Sequence, residues 1–389
     1  MQSAPTREEL RIRARKMRND LASRAVDAER ERCIPQATID AFVENGFFRT
    51  LVPRRSGGFE LPLDALLDVS VEVGEVCGSS AWVLSLLAIH NWLAALYGEE
   101  TREELFGDRG FVLASACFAP GGSLERREGG FVLRGRWAFA SGAAHAQWAF
   151  VSATRAAGSA GEAQILCVAI PRDDFVVADT WHTAGMRGTG SHDLVVEEAF
   201  IPERRTLDFR NLVEGRAAAA DAPPLYRQPL VPVLAQVAAA PALGIARGAR
   251  AAFRDALQER VRLDGSRSVE SAPTQVRFAE SSLEIDSAGL MLEAARRELA
   301  GLGAEGGSPG EGQRLSIWMK ACFATTLCVR AVDRLMAAAG AHAQFLSSTL
   351  QQKQRDLHTL GSHFVFDFDS TAQAYARNQL GLPSRHPLA

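Results

Sequence analysis

Two of the chain's eight histidines, His358 and His363, fall in one short stretch, QQKQRDLHTLGSHFVFDFDS at 351–370, directly after an Arg-Asp pair. Histidine is the side chain whose ordinary pKa lies nearest neutrality, so such a pair offers a general base or metal ligands. A helical metal pair needs a spacing of four, whereas these two stand five apart on different helical faces, so no metal is expected. Asp367 and Asp369 come just before a helical run, where aspartate caps a helix rather than abstracting a proton. The glycine-rich GLGAEGGSPGEGQ at 301–313 follows a helix and lacks the Gly-Lys-Ser/Thr of a phosphate cradle. No GxGxxG strand-turn-helix for a nicotinamide is present.

Bulk properties narrow the classes. With 43 Lys+Arg against 46 Asp+Glu, and acidic residues interrupting the basic tract REELRIRARKMRNDLASR, no stripe of charge tracks phosphates, which argues against nucleic acid. Six cysteines at 33, 77, 117, 167, 322 and 328 form no CxxC pair and read as reduced thiols of a cytoplasmic protein. MQSAPTREEL lacks the apolar core of a secretion signal. The run AWVLSLLAIHNWLAALY at 81–97 carries His90 and Asn91 at its middle and reads as a buried helix, so no membrane partner is expected.

The elements that must position these residues follow three regimes of periodicity. Residues 1–110 read as a helical domain, with the helix at 81–97 capped by Ser79 or Ser80. Residues 111–205 change to six short alternating runs between glycine turns, which predict antiparallel meanders curling into a small barrel or sandwich. Residues 206–228 read as a linker, and 229–389 as four long helical segments, the last running through 344–379, packed as an antiparallel four-helix bundle. The fold class is mainly α with a central small β domain.

That order of domains, with WHTAGMRGTGSHDLVVEEAFIPERR at 181–205, GRWAFASGAAHAQWAFVSA at 135–153 and AAAGAHAQFLSSTLQQKQRD at 337–356, resembles the acyl-CoA dehydrogenase fold. ENGFFRTLVPRRSGGFELPL, LLAIHNWLAALYG and RWAFASG followed by His-Ala-x-Trp are more similar to the reduced-flavin monooxygenases of that fold. These are oxygenase components of the 4-hydroxyphenylacetate 3-hydroxylase and secosteroid phenol hydroxylase kind. The resemblance implies reduced FMN or FAD delivered by a separate NAD(P)H-dependent flavin reductase, molecular oxygen as co-substrate, and a homotetramer. An N-oxygenase acting on a nucleotide-linked sugar amine and an acyl-thioester dehydrogenase are the alternatives within the fold.

The dehydrogenases of the fold take a proton with a Glu nine residues past the Arg of Arg-Asp, and here that position is Phe364. Oxygenation has a different requirement. The flavin C4a-hydroperoxide is electrophilic, so the protein must keep it dry and make the substrate carbon electron-rich. Deprotonating a phenol of pKa about 10 does this, and a histidine is suited to it.

The residues alone leave His358 open as a solvent-facing helix residue; the resemblance implies that it is the base and His363 structural. It further implies Ser141 beside the flavin N5 and the substrate oxygen, with Phe139 packed on the ring. Strand alternation places Phe139 and Ser141 on one face, shared by Trp137 as pocket lining or β core. Phe118 and Ser123 match the segment at the flavin's pyrimidine edge and pyrophosphate. Arg267, with Arg277 as rival, and Gln275 match residues that hold cofactor phosphate from a neighbouring subunit. Ser115 and His90 are expected to line the substrate pocket, His90 otherwise being a core histidine.

Overall fold

The structure is a computed structural model describing residues 4–156, 163–219, 221–261, 265–304 and 309–388. Six helices come first: α1 (Arg7–Lys16), α2 (Arg18–Glu31), α3 (Gln36–Glu44), α4 (Leu63–Gly74), α5 (Gly78–Ala94) and α6 (Glu99–Phe106). Thr6 and Glu9 close a capping box at the start of α1. The basic tract divides at Met17 into α1 and α2, and Arg11, Arg15 and Arg18 converge on the buried Glu72 of α4. Helix α5 is buried along nearly its whole length. Its cap is Cys77 with no side-chain bond, so Ser79 and Ser80 are inside the helix rather than capping it. The first turn, packed against other elements, is held by tertiary burial instead.

Seven strands follow: β1 (Ala114–Arg127), β2 (Gly130–Ala140), β3 (Trp148–Arg155), β4 (Gln164–Pro171), β5 (Val176–Ala178), β6 (His192–Pro202) and β7 (Thr206–Asp208). They form one sheet in the order β5-β6-β2-β1-β3-β4-β7. The expected meander differs at its centre, because β1 and β3 pair in parallel while the other pairs are antiparallel. A meander pairs neighbours in sequence; here β2 leaves to pair with β6, and β3 takes the free edge of β1. The sheet has its own apolar core, including Phe131, Leu133, Trp137, Val151 and Ile170.

The expected linker is structured at both ends: β7 adds to β4, Asp208 caps α7 (Phe209–Val213) by accepting from the Asn211 N–H, and a short 3-10 helix spans Pro224–Arg227. Helices α8 (Leu230–Glu259), α9 (Ala272–Ala304) and α10 (Glu311–Ala339) are long. The last expected helix is two, α11 (Thr349–Gly361) and α12 (Phe368–Gln379), because the chain breaks at Ser362–Asp367. Asp367 accepts from the Ser370 N–H and caps α12 as its position suggested. Of the glycine-rich stretch 301–313, residues 305–308 lie outside the described residues. Helix α8 is apolar enough to span a bilayer by length and composition, but 94% of its most apolar window is buried inside the protein. Glycines bring it onto α4: a Cβ on Gly244 would lie 2.4 Å from the Val71 carbonyl oxygen. The N-terminal helices and the bundle therefore share one continuous core.

Candidate active site

Four pieces of chain meet around the N-terminal half of α5. They are the end of β2, the loop 181–191, the start of α11 to its C-terminal turn, and Trp82 on α5 itself. The end of β2 is bulged, since its register against β6 shifts between Trp137 and Ala140. Phe139 absorbs the extra residue at φ +69°, a conformation a bulky side chain rarely takes. The bulge breaks the alternation that sequence reasoning relied on. Trp137 is buried in the core of the sheet, its Nε1 donating to the Ser152 carbonyl at 2.8 Å. Phe139 is 67% exposed and Ser141 turns inward at 6%. The expected common face of Trp137, Phe139 and Ser141 is absent, and Trp137 packs within the core of the sheet.

Ser141 Oγ accepts from Trp82 Nε1 at 2.9 Å and lies 2.7 Å from Ser191 Oγ. Ser191 Oγ is in turn 2.7 Å from Thr189 Oγ1, which donates to the Met186 carbonyl at 2.9 Å. Below, Ser115 Oγ donates to the Ser141 carbonyl at 2.8 Å, so Ser115 braces the backbone of the site. His90 is buried, bonds the Ala114 carbonyl through Nδ1 and packs edge-on to Phe150. Burial lowers its pKa to about 4. It holds α5 to β1 as a core histidine.

The two histidines of the C-terminal stretch part company. His358 lies on α11 with its side chain 52% exposed, and its Nε2 is 2.8 Å from Asp333 on α10. It shares no hydrogen bond or ring contact with Ser141 or Trp82 among the described residues. His363 sits in the turn after α11, where its ring meets the Trp82 indole edge-on at 5.3 Å between centroids. Its Nδ1 accepts from the Val365 N–H at 3.4 Å, and Phe364 packs at 4.7 Å. Trp318 pins the turn by donating to the Val365 carbonyl at 2.7 Å. Burial lowers the His363 pKa to about 4, leaving a neutral imidazole at physiological pH. His363 and Ser141 thus contact the same Trp82 indole, which His358 does not.

Asp356 of the Arg-Asp pair ties these pieces together. It is 6% exposed, and its Oδ1 accepts from the Met186 N–H at 2.6 Å. Gly185 allows the approach, because a Cβ there would lie 2.0 Å from the Arg355 carbonyl oxygen. Met186 holds φ +52°, and its carbonyl accepts from both Trp181 Nε1 and Thr189 Oγ1. Burial raises the Asp356 pKa to about 6. Lys353, one turn earlier and also buried, donates to the Glu75 and Val76 carbonyls.

Sequence reasoning passed over Trp82, Thr189, Ser191 and the structural weight of Asp356. A signal existed for one of them, since a tryptophan in a buried helix needs an acceptor for its indole N–H. The remaining expected residues lie apart. Phe118 is half-buried against Phe209, and Ser123 is exposed on β1. Arg267, Arg277 and Gln275 are exposed around the start of α9, Gln275 donating to the Val269 carbonyl at 3.0 Å.

A flavin fits this surface. Phe139 presents a largely uncovered ring, set edge-on to Trp181 at 6.2 Å, two residues before the inward-turned Ser141. An open aromatic face matches a planar isoalloxazine, which is apolar on its faces.

Comparison with known proteins agrees. Residues 4–106 match the acyl-CoA dehydrogenase N-terminal domain and 236–368 the acyl-CoA dehydrogenase C-terminal domain. The chain is 30% identical over 367 residues to the flavin-dependent monooxygenase oxygenase subunit HsaA of Rhodococcus jostii, covering 93% of this chain and 96% of that one. It is 32% identical over 367 residues to the p-hydroxyphenylacetate 3-hydroxylase oxygenase component of Acinetobacter baumannii, covering 93% and 86%. The structure of XiaF from Streptomyces in complex with FADH2 and glycerol superposes with a TM-score of 0.92 at 29% identity, covering 98% of this chain and 97% of that one. Fold and relatives agree: the chain belongs to the flavin-dependent monooxygenases built on the acyl-CoA dehydrogenase fold.

Proposed function

We propose that this protein hydroxylates the ring of a phenol, with Ser141 and His363 holding the phenolic oxygen between them. The observation that carries the reading is the shared Trp82: its indole N–H holds Ser141 and its edge meets His363. Bound reduced FMN or FAD supplies, with molecular oxygen, an electrophilic oxygen atom. The chain's own residues do the rest. Ser141 meets the phenolic oxygen, and His363 takes its proton on Nδ1, the single lone pair of the neutral ring, which the phenol takes over from the Val365 N–H. The imidazolium and phenolate then stabilise each other in a site that Trp82 and Phe364 help to shield from water. The phenolate charge activates the ortho carbon. His363 replaces His358 as the proposed base, because His358 pairs with Asp333 at the surface. Phe139 would pack on the flavin ring, with Phe118 and Ser123 along its pyrimidine edge and pyrophosphate.

The direct test supplies reduced flavin and isotopically labelled oxygen to the protein with a panel of phenols, sugar amines and acyl thioesters. A hydroxylated phenol carrying one labelled oxygen is the expected product; peroxide alone, with every phenol unchanged, would refute the reading.

A reductase component must deliver the reduced flavin, and the six free cysteines suit a reducing cytoplasm. Self-association is supported by α9, where Val276, Leu283 and Leu290 recur every seven residues and are 56%, 67% and 74% exposed. Such a stripe on a long helix is what a partner helix covers. In the proposed tetramer Arg267 and Gln275 would reach the neighbour's cofactor phosphate. Leu283→Glu with Leu290→Glu should lower the sedimenting mass and weaken flavin retention together; an unchanged mass would place the interface elsewhere.

A further inference from the structure

We infer that Thr189 and Ser191 form a reversible hydroxyl relay that lets Ser141 accept a hydrogen bond from a neutral phenol and donate one to the phenolate. The inference rests on the phenol reading above and adds two positioning residues to it.

Its basis is the count of protons in the chain of bonds. An indole N–H only donates and a carbonyl only accepts, so both ends of the chain have a fixed sense. Trp82 Nε1 donates to Ser141, and Thr189 Oγ1, when it bonds the Met186 carbonyl, must donate there. Each hydroxyl has one proton. Thr189 having spent its own, Ser191 donates across the 2.7 Å contact to Thr189, and Ser141 donates across the next 2.7 Å contact to Ser191. In this sense Ser141 has no proton left for a ligand. Its remaining lone pair accepts from a phenol O–H.

The opposite sense is also nearly complete. If Thr189 turns its proton to Ser191, Ser191 donates to Ser141, and Ser141 donates outward to a ligand. Only the Thr189 bond to Met186 is lost, and that carbonyl keeps Trp181 Nε1 at 3.0 Å. Three rotating hydroxyls therefore exchange one buried neutral hydrogen bond for a charge-assisted one to the phenolate. No O–H bond breaks in the relay; the phenol proton goes to His363. Asp356, by holding the Met186 N–H at 2.6 Å, fixes the loop that carries the far end.

The test reads the ionisation of a bound phenol rather than turnover. 4-Nitrophenol, whose anion is coloured, is titrated with pH on the protein loaded with reduced flavin under anaerobic conditions. In Thr189→Val the Ser191 proton loses its acceptor, so the relay is left in the donating sense. Neutral phenol then loses its advantage, and the pKa of bound nitrophenol should fall by up to about one unit, one neutral hydrogen bond's worth. Ser191→Ala should move it the same way, and Thr189→Ser, which keeps the hydroxyl, should restore the wild-type value. A bound pKa unchanged in both Thr189→Val and Ser191→Ala overturns the relay, whatever happens to thermal stability. No saturable binding of nitrophenol or phenol to the wild-type protein overturns instead the phenol reading on which it rests.

Discussion

His363→Ala is expected to slow hydroxylation by about two to four decades, the usual contribution of a positioned general base, while His358→Ala leaves the rate within a factor of about three. The contrast follows from surroundings. His358 is half-exposed and bonded to Asp333, so its loss removes a surface hydrogen bond of small consequence. His363 is packed against Trp82 and Phe364, and the Trp82 it touches is hydrogen-bonded to Ser141. Loss of this imidazole leaves a phenol that cannot ionise at neutral pH, and reduced flavin and oxygen should then be spent as peroxide. Steady-state hydroxylated product against peroxide, measured for both variants, checks the claim. A slow His358→Ala and a normal His363→Ala would invert the assignment. The pH dependence is a second check. With its pKa lowered by burial to about 4, the His363 imidazole stays neutral well below the range where an ordinary histidine titrates. The hydroxylation rate should show no inflection from the base near pH 6.5, the ordinary value.

Asp356→Ala carries the largest expected loss of stability, about 1–3 kcal/mol, the cost of leaving a buried N–H without its acceptor. It would leave the buried Lys353 without its nearby carboxylate and the Met186 N–H without an acceptor. Asp356→Asn keeps an oxygen for Met186 and should recover part of that loss. Urea unfolding of the three proteins is the measurement, and equal midpoints for wild type and Asp356→Ala would show the clamp to be dispensable. The sign of the pH effect is also set. Burial raises the carboxyl from its ordinary 3.8 to about 6 in the folded protein. Between these values the native state holds a proton that the unfolded chain has released, so this group's contribution is full below the unfolded pKa and is lost as pH rises through 6. Asp356→Asn, which cannot titrate, should flatten that part of the stability profile.

The sequence by itself determined the architecture and the family. Helical period, then alternating runs between glycine turns, then helical period again are local signals, and the motifs flanking them are contiguous in the chain. Phe364 standing where a dehydrogenase keeps its glutamate was legible for the same reason, as a single position counted from Arg355.

Tertiary structure alone decided the site. Alternation along β2 could not foresee the bulge that turns Phe139 outward, because a bulge is set by pairing with β6, some sixty residues away in the chain. The parallel pairing of β1 with β3 and the docking of 206–208 on β4 are likewise long-range. The choice between the two histidines of 351–370 turned on where the last helix stops. The periodicity treated the stretch as one helix, and the family resemblance implied the histidine nearer Arg-Asp. In three dimensions α11 ends at Gly361, Trp318 pins the following turn through Val365, and His363 is carried onto Trp82 while His358 is left facing Asp333. Burial and partnership across the fold, which no local pattern encodes, separate a packed imidazole from a surface one five positions away.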